Sequence, residues 1–342
     1  MTSGNGKRRA PRNRTLTLSE SDNARLRPGL LNLEALTGKL PEGIAVGDCL
    51  DAARVLPRGV VDLLFLDPPY NLNKSFNGTR FGKRAVGDYT EWFDRIVTDL
   101  VPLLKPTATV YICGDWLTSH SIFEVASKHF TVRNRITWER EKGRGASANW
   151  KNASEDIWFC TMSDDYVFNV DAVKLRRRVV APYTNDDGTP KDWMAGERGS
   201  FRDTYPSNFW SDITIPFWSM SENTDHPTQK SEKLLAKLIL ASTNPGYFVL
   251  DPFVGSGTTC VAAKKLGRKS LGIDVNEEYA LWALRRLELA EQLPAIQGYV
   301  DGVFWERNTL AAQQRQFPSE YPGAQKGFLS TAALDVYLED LE

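Results

Sequence analysis

No stretch of eighteen apolar residues occurs in the 342-residue chain, so it offers no candidate for a membrane-spanning helix. Histidine is scarce at three residues, and the four cysteines (Cys49, Cys113, Cys160, Cys260) are scattered without a CxxC pair. That pattern excludes a zinc or disulfide framework, leaves no candidate metal ligands, and fits reduced thiols of a cytoplasmic protein. An excess of charge of one sign is also missing. With 42 basic and 43 acidic residues the net charge is −1, which argues against a polyanion binder held by bulk charge. The first fifteen residues are basic and polar without an apolar core, so they do not read as a secretory signal.

What is present is local. Cations cluster at Lys7–Arg14, at Arg133–Lys151 (Arg133, Arg135, Arg140, Lys142, Arg144 and Lys151 against Glu139 and Glu141), and at Lys174–Arg178. Each could be a solvated charged face, but phosphate contacts need only a patch.

Residues 1–35 show no sustained hydrophobic period and read as a flexible basic arm. From Gly43 the chain alternates short apolar runs with helical patterns. Val60–Leu66 reads as a buried parallel strand because it is mostly apolar and ends at Asp67-Pro-Pro, which cannot continue a ladder. Trp92, Phe93, Ile96, Val97, Leu100, Val101 and Leu104 predict an amphipathic helix over 89–104, stopped by Lys105-Pro106. A strand at 109–113 and a helix at 116–130 complete this half. Residues 131–225 are rich in Trp, Arg, Asn and Asp, with weak helical periodicity and two short strand-like runs at Arg135–Trp138 and Asp156–Thr161, and read as an irregular inserted lobe whose tryptophans mostly belong to its core. Regular alternation returns with a helix at 231–241, strands at 247–250 and 270–273, and a helix from Glu277 to about Leu293. A short helix is expected near 331–341. The fold class is therefore α/β: a mostly parallel, doubly wound sheet with a lobe inserted into it.

Two loops stand at strand ends, where open parallel sheets bind ligands. In Asp251-Pro-Phe-Val-Gly-Ser-Gly-Thr-Thr259, Gly255 and Gly257 would let backbone pass close to a ligand, and Asp274 ends the next strand, placed for ribose hydroxyls. Cys260 stands where a dinucleotide fingerprint needs its third glycine, and no GxxxxGK(S/T) is present, so a nucleoside site without pyrophosphate remains. A plain tight turn would account for the same glycines. In Asp67-Pro-Pro-Tyr70 the prolines fix the backbone. The Asp67 carboxylate and Pro68 carbonyl would be acceptors for an amino group whose nitrogen must leave conjugation to become nucleophilic, and Tyr70 could stack on an extruded base.

In this combination the chain resembles the beta-class DNA amino-methyltransferases, in which a DPPY half precedes an FxGxG half. Phe253-Val-Gly255-Ser-Gly257, His226-Pro-Thr-Gln-Lys230 and Val46-Gly-Asp48-Cys49 all match that family's pattern, and the likeness covers roughly residues 43–295. The resemblance implies an S-adenosylmethionine (AdoMet)-dependent methyltransferase fold and transfer of a methyl group to adenine N6 or, by the same logic, cytosine N4. Asp67 in place of serine favours adenine. It implies catalytic roles for Asp67, Pro68, Pro69 and Tyr70. The cofactor would be held by Asp48, Cys49, Thr228, Lys230, Asp251, Phe253, Gly255, Gly257, Thr258 and Asp274, with Lys230 and Thr228 near the methionine carboxylate. The chain divides accordingly into an arm (1–35), a catalytic half (36–130), a target-recognition lobe (131–225), a cofactor half (226–300) and a C-terminal extension (301–342). In the lobe, Arg140, Lys142, Arg144, Lys151, Arg176, Arg177 and Arg178 are the candidate contacts to double-stranded DNA. The resemblance leaves room for a homodimer and for a restriction endonuclease cognate to the same site. Two positions depart from the family: Ser231 stands where proline is frequent, and Ala153-Ser154-Glu155 where a His-Glu pair is common. No cysteine follows a proline, so cytosine C5 chemistry through a thiolate is not expected.

Overall fold

The computed structural model describes residues 10–306 apart from 73, 77–78, 141–147, 180–182 and 197–198. Nine strands form the main sheet: β1 (Leu31–Asn32), β2 (Gly43–Val46), β3 (Val61–Leu66), β6 (Leu104–Gly114), β7 (Thr131–Glu139), β8 (Ser154–Thr161), β12 (Phe209–Trp210), β13 (Phe248–Asp251) and β14 (Lys269–Asp274). Their order across the sheet is β1-β2-β14-β13-β3-β6-β8-β7-β12. From β1 to β6 every pairing is parallel, and β8 then runs antiparallel to both β6 and β7.

All six residues of β3 are buried, as expected of a strand covered on both faces. Leu64 and Leu66 join one core with α2 (Cys49–Val55), α3 (Val86–Leu100) and α4 (Ser119–His129). Leu63 and Phe65 point the opposite way, into a core with α5 (Glu232–Ser242) and α6 (Thr258–Lys265). A smaller cluster seats α7 (Glu277–Gln292) against Ile44, Val254 and Cys260. Every residue of α5 is buried, because a second sheet covers its other side through Val173, Leu175, Ile296 and Phe304. That sheet has the order β10-β11-β9-β16-β15, from β9 (Leu175–Val179), β10 (Met194–Gly196), β11 (Gly199–Thr204), β15 (Tyr299–Val300) and β16 (Val303–Trp305). A hairpin of β4 (Lys74–Phe76) and β5 (Thr79–Phe81) follows the Asp67 turn.

Three expectations change. The segment from residue 10 is not a structureless arm: it carries α1 (Glu20–Leu26), started by a capping box between Ser19 and Asp22, and then β1. Arg25 and Arg27 tie it to Glu288 and Glu277 of α7. The stretch 131–161 is not part of an irregular lobe, since β7 and β8 extend the main sheet. The second sheet, in turn, recruits residues 299–305, which straddle the expected boundary between the cofactor half and the C-terminal extension. The helix expected over 89–104 spans Val86–Leu100 instead, because Pro102 turns the chain into a single 3-10 turn before β6. The helix expected near 331–341 lies outside the described residues, and among those described no helix is long and apolar enough to cross a membrane.

At the end of β3 remote from Asp67, Asp62 is buried and joins three strands. One carboxylate oxygen takes Lys105 Nζ at 2.6 Å, and the other accepts from the Phe248 amide at 2.8 Å. Asp62→Ala leaves that amide buried without an acceptor. It is expected to lower unfolding stability by about 1–3 kcal/mol, read from urea denaturation.

Candidate active site

Strands β13 and β3 lie side by side and parallel, with Leu250 opposite Leu64, so their carboxyl ends reach the same edge of the sheet. After β3 the chain moves to β6 on one side, and after β13 it moves to β14 on the other. This is the switch point at which an open parallel sheet leaves a crevice. A cavity of about 270 Å³ occupies it. Its walls include Asp67, Pro68, Pro69 and Tyr70 from the first turn, Phe253 and Gly255 from the second, and Asp48, Cys49, Thr228, Lys230 and Asp274.

The Asp67 turn is tightly held. Asn71 accepts from the Arg84 amide at 2.7 Å and donates to the Arg84 carbonyl at 3.0 Å, while the Tyr89 hydroxyl donates to the Pro69 carbonyl at 3.2 Å. Both oxygens of Asp67 are engaged: Oδ1 accepts from the Tyr70 hydroxyl at 3.1 Å and Oδ2 from Lys230 Nζ at 2.6 Å. Lys230 thus meets the Asp67 turn. The pairing links residues 163 apart in the chain, and Lys230 still lines the cavity together with Thr228. Burial opposes its ammonium, but the carboxylates of Asp67 and Glu155 outweigh that and hold it above the ordinary lysine range. Burial, with Asp67 alongside, likewise raises the Tyr70 phenol well above its usual value, so it stays a donor. Ser231, the departure from the family's proline, caps α5 by accepting from the Leu234 amide at 3.3 Å.

The second turn divides into residues that face the cavity and residues that build it. Gly255 has φ 52°, and a Cβ there would lie 3.0 Å from His226 Nε2, which itself lines the cavity. Asp274 accepts from the Gly255 amide at 2.9 Å and the Asn276 amide at 2.8 Å, and burial raises its carboxyl. Asp251, Gly257 and Thr258, expected on the cofactor, are not among the cavity's lining residues. Asp251 is fully enclosed, accepting from the Phe253 amide at 3.0 Å and the Thr259 hydroxyl at 2.5 Å. Gly257 has φ 83°, and a Cβ there would meet Ala283 of α7 at 2.6 Å, so both the backbone angle and the packing call for glycine. Thr258 donates to the Lys230 carbonyl at 3.0 Å. These three shape the loops that border the cavity.

Sequence reasoning did not single out Leu50, Trp92, Ile96, Pro252, Val275, Asn276 or Tyr279 as site residues, though all line the cavity, and it named His226 only as the start of a motif. Trp92 and Ile96 had a signal, their place on the apolar stripe of α3, but that stripe also serves the core. Cys49 lines the wall, and burial together with the Asp48 carboxylate pushes its thiol up to about 12.

The expected DNA contacts are spread over the surface and differ in their state. Arg140 forms an ion pair with the buried Glu155, and Arg176 forks onto Asp203 at 2.7 and 2.8 Å, so both cations are neutralised within the fold. Arg177 lies 3.6 Å from Glu306, and Arg178 and Lys151 are exposed. Lys142 and Arg144 lie outside the described residues. Trp210 is buried as expected, but Trp150 is 94% exposed and Trp218 is exposed as well. Trp150 and Lys151 border a surface cleft with Trp116, Asn149, Asn152 and Phe209.

The donor set suits AdoMet. Carboxylates of Asp48 and Asp274 retain lone pairs for hydroxyl and amine donors, Phe253, Pro252 and Ile96 offer apolar faces, and Gly255 leaves the space a side chain would fill. Among the described residues no group of three or more His, Cys, Asp or Glu side chains could hold a metal ion.

A parallel sheet with a nucleoside-type crevice beside a proline-locked carboxylate defines a class of methyl-transferring enzymes, and comparison with known proteins agrees. The family model described as DNA methylase matches residues 61–285. The chain is 33% identical over 266 residues to the DNA adenine methyltransferase YhdJ of Escherichia coli (strain K12), covering 75% of this chain and 86% of that protein. It is 29% identical over 252 residues to the type II methyltransferase M.HpaI of Haemophilus parainfluenzae, covering 73% of this chain and 75% of that one. Among solved structures it resembles in fold the cytosine-N4-specific PvuII DNA methyltransferase, with a TM-score of 0.54 at 18% identity over 73% of this chain and 87% of that one. The chain belongs to the DNA methylase family. It is an AdoMet-dependent DNA amino-methyltransferase.

Burial pushes the Asp251 carboxyl up to about 7, against the opposing hydrogen bonds from Thr259 and Phe253. A carboxyl raised on folding stabilises fully below its unfolded pKa of about 4, and that contribution is lost as pH rises through about 7. Asp251→Asn removes this loss. The stability difference between the variant and the wild type is therefore expected to shift in the variant's favour from pH 4 to pH 8, followed by urea unfolding across that range.

Proposed function

We propose that the chain methylates the N6 amino group of adenine in double-stranded DNA, with Asp67 and the Pro68 carbonyl as acceptors for the amino protons. The observation that carries this is the opening of Asp67 onto the same cavity as Asp48, Phe253 and Asp274. Asp67 in place of serine and the adenine methyltransferase among the relatives support adenine over cytosine N4. Asp274 is assigned to the ribose hydroxyls, Asp48 to the adenine edge of the cofactor, Phe253 and Gly255 to its body, and Thr228 to its methionine end. When bound, AdoMet supplies an electrophilic sulfonium methyl group.

The chain's own groups do the rest. The cavity is recessed, so the target base must leave the helix, and the Tyr70 ring is placed to stack on it. Acceptance of both amino protons by Asp67 and Pro68 draws the nitrogen lone pair out of conjugation. Trp92 and Ile96 wall the site against water, and the proton that the methylated nitrogen must shed passes to the Asp67 carboxylate. No covalent adduct with the base is required. Target recognition is assigned to the region 131–225, whose β7, β8 and β12 share the sheet edge with Asp67. A restriction endonuclease acting on the same sequence fits the type II relative, a homodimer is compatible with the reading, and the cytoplasm suits the four reduced thiols.

Duplex DNA is assigned to the cleft of Trp116, Trp150, Phe209 and Lys151. β7 is three strands from β3, on the order of 14 Å at strand spacing, which is about four base-pair steps. The exposed rings suit base contacts, and Asn149 and Asn152 supply donors and acceptors for base edges.

Asp67→Ala is expected to reduce transfer of labelled methyl from AdoMet to DNA on the order of 10²- to 10⁴-fold while leaving AdoMet binding intact. Mass analysis of nucleosides from methylated DNA should show N6-methyladenine. N4-methylcytosine alone would overturn the base assignment, and equal activity of the two proteins would overturn the mechanism. Trp150→Ala is expected to weaken duplex binding about 5- to 100-fold in a fluorescence titration. Unchanged DNA affinity with a folded protein would remove the cleft from the interface.

A further inference from the structure

The target amino group needs an acceptor on Asp67, yet each oxygen of that carboxylate already accepts a hydrogen bond, one from Tyr70 and one from the Lys230 ammonium, which competes with a neutral amino group for the same charge. Lys230 is only 6% exposed on its side chain, so its ammonium depends on protein anions rather than on bulk water. A second anion stands beside it. Glu155, 2% exposed, pairs through Oε1 with Arg140, while its Oε2 is buried, makes no hydrogen bond, and lies 3.5 Å from Lys230 Nζ. A buried carboxylate oxygen without a donor is costly and calls for an explanation.

We propose that Lys230 is a movable counter-ion, held on Asp67 in the resting enzyme and handed to Glu155 Oε2 when the amino group of the target base takes its place on Asp67. This rests on the amino-methyltransferase reading of Asp67. A shift of about 0.7 Å brings Nζ to the ~2.8 Å of a charge-assisted hydrogen bond, within reach of small changes at the lysine's flexible torsions. The transfer moves no proton. Asp67 and Glu155 are both anionic before and after, and Lys230 stays cationic throughout, so the buried site keeps its charge while one acceptor is released. Arg140 fixes Glu155 on the other side, so the receiving oxygen is preset. Thr258, through the Lys230 carbonyl, anchors the backbone about which the side chain moves. Glu155 acts through Lys230 and is a positioning residue. The arrangement also answers the departure noted in the sequence: the glutamate is kept although the histidine before it is replaced by Ser154.

The test compares wild type, Glu155→Gln, Lys230→Met and the double variant in single-turnover methylation of a duplex, with AdoMet binding measured by calorimetry. Glu155→Gln keeps the shape and loses the charge. It is expected to lower the methylation rate about tenfold or more with AdoMet affinity unchanged, and this penalty should fall below about threefold when Lys230 is already methionine. A penalty of the same size in both backgrounds, or no penalty, overturns the proposal. As a second measurement, independent of how the variants fold, a crystal structure of the wild type with its target duplex and S-adenosylhomocysteine should place Nζ nearer to Glu155 Oε2 than to Asp67 Oδ2, the reverse of the resting arrangement. Nζ still on Asp67 overturns it. Wild type that methylates no DNA would defeat the functional reading itself, a result distinct from an active wild type with an indifferent Glu155.

Discussion

The in-register parallel pairing of β3 with β13 is the constraint on which the site depends. Residue 64 beside residue 250 leaves each chain with a short run before Asp67 and Asp251, so two loops from distant parts of the sequence emerge a strand's width apart. Because the chain then travels in opposite directions, neither loop is covered by the connection that follows the other. Asp62 holds the pairing from below through the Phe248 amide. A one-residue slip would turn Leu63 and Phe65 into the wrong core and carry the catalytic turn to the other face.

Around this edge the fold separates holding from handling. Buried groups that look functional in sequence, such as Asp251 and Thr258, secure backbone, while the cavity itself is walled by residues from α2, α3, α7 and the loop before α5. The ion pairs follow the same division. Arg286 and Lys265 converge on Glu232 beneath the second turn, with lysine at 2.7 Å and arginine at 3.0 Å, and Arg286 also reaches Thr258 at 2.9 Å. Such buried pairs are a weak source of stability, but breaking one partner is costly, so they fix the loop in a single arrangement.

The strands flanking the site were legible because each is a short apolar run closed by a residue that cannot pair onward, as with Leu66 before Asp67-Pro-Pro. α3 was legible by its period. β7 was read only as a short strand-like run and not as part of the sheet, since the consecutive polar residues Arg133, Asn134 and Arg135 break its apolar alternation, and its partner β8 lies beyond a long connection. α1 carried a readable cap at Ser19 and Asp22, but too few apolar residues to register as an element. The joining of β16 to β9 is a pairing across more than a hundred residues, to which local pattern is blind. The two motif turns were visible as motifs. Lys230 on Asp67 was not, because motif likeness assigns a residue to its neighbours in sequence while the ammonium follows the nearest buried anions.

The thiol of Cys49 on the cavity wall has a consequence for fidelity. A thiolate is a far stronger nucleophile than an aromatic amine and would be the most reactive side chain on this wall. Enclosure and the adjacent Asp48 carboxylate keep that sulfur protonated at neutral pH. The wall beside Asp48 is thereby kept free of a competing nucleophile.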